Sequence, residues 1–97
     1  MKTEKIKGQI VSQPQVLTDE TSALVLLVIK NDKGYKELHY NRGKFSSSAT
    51  LAFNFANSKF SKIATSSIGE TIEAYICSST GEIFRFKNVT RGDVECL

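Results

Sequence analysis

The sequence predicts an all-β chain with one short helix, built as a five-stranded barrel. Three observations carry that expectation. Apolar residues alternate with polar ones at period two in several short runs, the signature of strands with one wet face. Six glycines (8, 34, 43, 69, 81 and 92) are scattered along the 97 residues, each expected at a bend. A single stretch of helical spacing, close to Phe60, Ile63 and Ala64, falls between the third and fourth strand segments.

In chain order, Ile6, Gly8 and Ile10 alternate with Lys5, Lys7 and Gln9 as a first strand. Gly8 interrupts it, as expected of a long first strand that must bend inside a small barrel. Pro14, the only proline, limits where that strand pairs. Thr18 to Ser22 is a polar turn. Ala23–Ile29 is apolar on both sides and reads as a central strand. Asp32 to Gly34 supplies turn chemistry for a hairpin, and Tyr35 to Asn41 is the return strand. Arg42 to Thr50 is a serine-rich loop. Leu51, Phe53 and Phe55 share one face of a further strand.

The helix follows over Ser58–Thr65, with Asn57-Ser58 able to cap it. After the turn at Gly69, Ile72, Ala74 and Ile76 are expected to face inward, with Thr71, Glu73, Tyr75 and Cys77 outward. Ser78–Gly81 is a hairpin turn. Glu82–Val89 closes the sheet, with Phe84 and Phe86 expected in the core opposite Arg85 and Lys87. The whole chain, 1–97, reads as one domain, with residues 90–97 as a short tail. This element order is that of an OB-fold-like barrel.

The chain also resembles the bacterial single-stranded-DNA-binding proteins and their primosomal OB-fold relatives. Gly8-Gln9-Ile10-Val11 followed by Pro14 is similar to that family's opening strand and turn. Ala52-Phe53, Ala56, the short helix and Ser67-Ile68-Gly69-Glu70-Thr71-Ile72-Glu73-Ala74 are similar to its strand–helix–glycine–strand core. The sequence departs from the family in having no Trp, in placing Asn54 where a glycine is expected, and in a last stretch that is not glycine-rich. The resemblance implies that Phe53 stands at the corner where the family stacks a base.

The net charge is +3, and its distribution says more than its total. Between Lys30 and Lys62 there are seven basic residues against two acidic ones, whereas residues 1–29 balance and residues 63–97 carry three basic against five acidic. Single-strand binding needs cations that follow a phosphate backbone and flat rings on which bases stack. Lys30, Lys33, Lys36, Arg42 and Lys44, interleaved with Tyr35, Tyr40 and Phe45, supply both, and Tyr75 is a further exposed-aromatic candidate. With Phe53 these are the expected nucleic-acid contacts. The expected function is therefore binding of single-stranded nucleic acid without strong sequence preference. The alternative is a protein-interaction module or accessory subunit on the same barrel, and association into a homo-oligomer is a further expectation.

Other chemistry is thinly represented. His39 is the only histidine, and with Cys77 and Cys96 it falls short of a four-ligand zinc site. No glycine-rich phosphate loop and no assignable acid–base pair occurs, so the sequence implies neither an enzyme nor a cofactor. The longest apolar run, Ala23–Ile29, is far below the ~20 residues of a membrane helix. The basic N-terminus has no apolar block behind it, and a cytoplasmic protein is expected.

Overall fold

In the computed structural model, residues 2–19, 22–44 and 59–92 are described. The elements are β1 (Thr3–Ile10), β2 (Gln15–Thr18), β3 (Ser22–Asn31), β4 (Gly34–Lys44), α1 (Lys59–Ala64), β5 (Thr71–Cys77) and β6 (Ile83–Asn88). The strand expected at 51–55 lies outside the described residues.

One sheet contains every described strand. β3 is its spine: it pairs antiparallel with β4 along one edge, and with β2 and the end of β1 along the other. β1 pairs antiparallel with β5, and β5 with β6. The first strand is thus one extended segment, broken around the buried Pro14, that changes partner part-way. Its first half lies on β5 and its second half on β3. At the change, Gly8 lets the two backbones close up, because a Cβ there would sit 2.9 Å from the Ile29 methyl and 3.0 Å from the Lys30 carbonyl oxygen.

The sheet curls into a half-barrel. Its far edges meet at a parallel bridge between His39 and Glu82, where the His39 N–H donates to the Gly81 carbonyl oxygen at 3.1 Å. Gly81 is at φ +80°, and a Cβ on it would fall 2.5 Å from the Glu37 carbonyl oxygen, so this seam requires glycine twice over.

Strand alternation puts Ala23, Val25, Leu27 and Ile29 of β3 inside, facing Leu38, Ile72, Ala74, Ile76 and Phe86. α1 adds Phe60 and Ile63 to the same core. It ends where the Thr65 and Ser66 hydroxyls donate back to the Ser61 and Lys62 carbonyls at 2.8 Å. The following turn is tied to the end of β6. Asn88, fully buried, donates to Ser66 Oγ at 3.1 Å and accepts from the Arg91 N–H, and Arg91 Nε donates to Glu70 at 2.7 Å. Thr90 Oγ accepts from the Thr71 N–H, so the residues just after β6 are fastened to the sheet rather than trailing from it.

Two inward–outward assignments differ from expectation. Ile76 is paired with Ile83 while Tyr75 is paired with Arg85, so Phe84 is an extra residue bulged out of the ladder. Ile83 and Phe86 take the core positions, and Phe84 is only half-buried. Cys77, expected outside, is 3% exposed because the Ser78–Gly81 turn folds over it. No described helix is long and apolar enough to cross a membrane.

Candidate functional site

The outer face of the β3–β4 hairpin begins from a cross-strand pair. Lys30 stands directly opposite Tyr35, with its ammonium 5.3 Å from the centre of the ring. Tyr35 is 69% exposed, which leaves an aromatic face with a cation already over it. The two-residue turn at Asp32 and Lys33 is organised by Asn31. The Asn31 side-chain oxygen accepts from the Lys33 N–H at 2.9 Å, and its amide donates to the Lys7 carbonyl at 3.2 Å. That second bond holds the hairpin tip against β1.

The result is a groove of about 450 Å³ between β1 and the hairpin. Lys5 and Lys7 line one wall, Lys33, Tyr35 and Lys36 the other, and the acids present are Glu4 and Asp32. Lys36 borders the groove from the inner face of β4, however, because alternation turns its side chain away from Tyr35. Lys36 pairs with the inward residue Ile29, and its ammonium donates to the Ser78 carbonyl at 3.4 Å.

The other expected residues are placed as follows. Tyr40 packs against the core, its ring 6.5 Å from that of Phe60, with the Lys59 ammonium 5.0 Å from its centre. It is therefore a packing residue at the barrel wall, away from the Lys30–Tyr35 face. Arg42 and Lys44 fall at the far end of β4, beside Ser22 and Ala23 and remote from the hairpin tip. Phe45 and Phe53 lie outside the described residues. Tyr75 sits mid-way along β5, flanked by Lys5 of β1 (5.9 Å) and Arg85 of β6 (5.6 Å).

The fold thus brings Lys30, Lys33, Tyr35 and one face of β1 together, and sets Tyr75 on β5, the next strand of the same sheet. Sequence reasoning missed Lys5, Lys7, Arg85 and Lys87. All four occupy the polar positions of recognisable alternating strands, and strand order was the missing ingredient: β1 lies beside β5 in the sheet but is distant from β5 and β6 in the chain. Glu73 lies among them, bonded to Lys5 at 3.1 Å, and that hydrogen bond holds its carboxyl below the usual range.

A second cleft of about 260 Å³ opens beside the barrel seam, where Gln13, Gln15, Glu37, His39 and Thr80 surround Leu26 and Val28. Among the described residues, no lysine or arginine lines it. The Cys77 thiol is lowered to about 7 by hydrogen bonds from Ser79 and Thr80 in the turn that covers it. Compared with family models, curated proteins and solved structures, the chain matches none.

Proposed function

We propose that this chain is an OB-type domain that binds single-stranded nucleic acid without reading its sequence. The OB reading is supported by connectivity: a broken first strand shared between β3 and β5, a helix between β4 and β5, and a parallel contact between β4 and the start of β6. The observation that carries the ligand class is the Lys30–Tyr35 pair at the lip of a groove walled by Lys5, Lys7 and Lys33. Cations spaced along a groove neutralise successive phosphates, and an exposed ring beside them offers a π-face that any base can stack on. The cations that line the groove are all long, flexible lysines, which favours tolerance over readout. The test is titration of a fluorescein-labelled oligothymidylate at two salt concentrations. Binding that weakens as salt rises supports the proposal; no binding at low salt, on the order of 20 mM, removes it.

A second reading, a protein-interaction module, is favoured by one specific feature. β2 is exposed along its whole length and presents Val16 (41% exposed) and Leu17 (52%) beside β3. A strand of this kind is a template for β-augmentation by an extended peptide. Retention of a protein partner after nuclease treatment, abolished by Leu17→Lys, distinguishes this reading from the first.

A further inference from the structure

We infer that the β5–β6 bulge forms a base-stacking site, in which Tyr75 and Phe84 hold one nucleobase and Arg85 its phosphate. The inference rests on the nucleic-acid reading above and extends its path across the neighbouring strands β5 and β6. Tyr75, Phe84, Arg85 and Thr3 line a shallow depression of about 420 Å³ on the outer surface. It exists because of the bulge. A regular ladder would alternate Phe84 against Arg85; the extra residue instead puts a half-buried ring beside an exposed guanidinium and the Tyr75 ring. The bulge is anchored, since the Lys59 ammonium donates to the Phe84 carbonyl oxygen.

The occupant follows from charge and continuity. Tyr75 lies between two cations, Lys5 and Arg85, and Lys87 pairs across from Glu73 on the same face. Lys5 lines the hairpin groove and also the small hollow shared by Glu73, Tyr75 and Lys87. From Lys5 to Arg85 is two strand spacings, about 10 Å. A strand leaving the hairpin groove over Lys5 therefore meets the Tyr75–Phe84 rings next. An acidic peptide would use the cations but has no need of two ring faces; an apolar partner would cover Lys5, Arg85 and Lys87 without any charge to match them.

The experiment compares oligothymidylates of about 5 and about 15 nucleotides with their RNA counterparts bearing the same base, oligo(5-methyluridylates), on three variants beside wild type. In Tyr75→Leu/Phe84→Leu the depression loses both rings, and binding of the longer oligomer should weaken on the order of 10- to 100-fold while the shorter one is unaffected. Arg85→Glu is the second variant, reversing an exposed charge without touching the core, and should weaken the longer oligomer in the same selective way. Lys30→Gln/Lys33→Gln is the control and should weaken both lengths. If both depression variants bind the longer oligomer like wild type while the control loses it, this inference is overturned and the groove reading stands. If wild type binds neither length at low salt, both fall. Equal behaviour of DNA and RNA supports recognition of bases and phosphates alone; a loss confined to RNA or to DNA in the depression variants also supports the site and assigns its sugar preference.

Discussion

Replacing Gly81 by Ala tests the barrel seam, on which the placement of both clefts depends. Two costs are separable there. The residue is at φ +80°, where an L side chain clashes with its own backbone by about 1–2 kcal/mol. The added Cβ would also fall 2.5 Å from the Glu37 carbonyl oxygen, a backbone atom of the facing strand that cannot swing aside. Forcing an extra carbon into such a contact costs about 1–3 kcal/mol. The sum is about 2–5 kcal/mol, a large share of the stability of a domain this size. Gly69 supplies the control: at φ +93° it carries the backbone penalty, but no described atom lies within 4 Å of the place a Cβ would take. Urea unfolding of both variants, followed by circular dichroism, should show the midpoint falling further for Gly81→Ala than for Gly69→Ala. The slope m should stay constant if the denatured state is unchanged. Equal losses in the two variants would refute the steric share, and with it the closeness of β4 to the Ser78–Gly81 turn.

Three further outcomes are expected. Phe86→Ala should cost about 3–5 kcal/mol, as for a fully buried ring, and Phe84→Ala clearly less; equal losses in thermal melts would contradict the bulge. Glu70, held below its ordinary value chiefly by Arg91 and the Ser67 N–H, has a depressed folded pKa. Its contribution to stability is therefore complete above the unfolded value of about 4.3 and is lost as pH falls through the folded value. The melting gap between wild type and Glu70→Gln should be constant above pH about 4.3 and narrow as pH falls below it, and a gap that does not change on acidification would contradict the network. For a short oligomer held by Lys7, Lys30 and Lys33, with Lys5 paired to Glu73, the slope of log K against log salt should be about −2, and Lys30→Gln/Lys33→Gln should reduce it by about 1.4; a salt-independent affinity would exclude phosphate contact.

The half-barrel was legible because alternation survives in β3, β5 and most of β6, and because the Asp32–Gly34 and Ser78–Gly81 turns carry their own chemistry. The bulge was not legible. In Glu82–Val89 either Ile83 or Phe84 satisfies an inward position, and only the partner strand selects Ile83. The burial of Cys77 escaped for a related reason: its cover is the next turn, not its own strand. The site was half legible. Lys30 and Tyr35 are close in sequence and joined by a hairpin, so local reasoning pairs them. Lys5, Tyr75 and Arg85 span most of the chain, and zoning charge along the sequence averages Lys5 with nearby acids, although the sheet sets it beside Tyr75. Lys36 illustrates the converse: adjacency to Tyr35 in sequence puts it on the opposite face of β4.

Glu73 is where the competing readings diverge most sharply. Its carboxylate bonds Lys5 at 3.1 Å in the middle of the cationic strip, with Lys5 55% and Glu73 21% exposed. Exposed pairs of this kind contribute about 0.2–1 kcal/mol at most, so the fold does not depend on it. What the pair does is neutralise the lysine shared between the hairpin groove and the Tyr75 hollow. If a phosphate is the partner of that face, it must displace Glu73 or tolerate it. Glu73→Gln then leaves the sheet intact, removes the carboxylate charge from the strip, and should tighten binding of the longer oligothymidylate several-fold while steepening its salt dependence. If β2 and its exposed Val16 and Leu17 are instead the working surface, the same substitution alters nothing, because Glu73 lies on β5 and the β1–β3 junction stands between them. Unchanged oligonucleotide affinity in Glu73→Gln, with melting temperature preserved, would therefore move the argument from the basic face to the apolar edge.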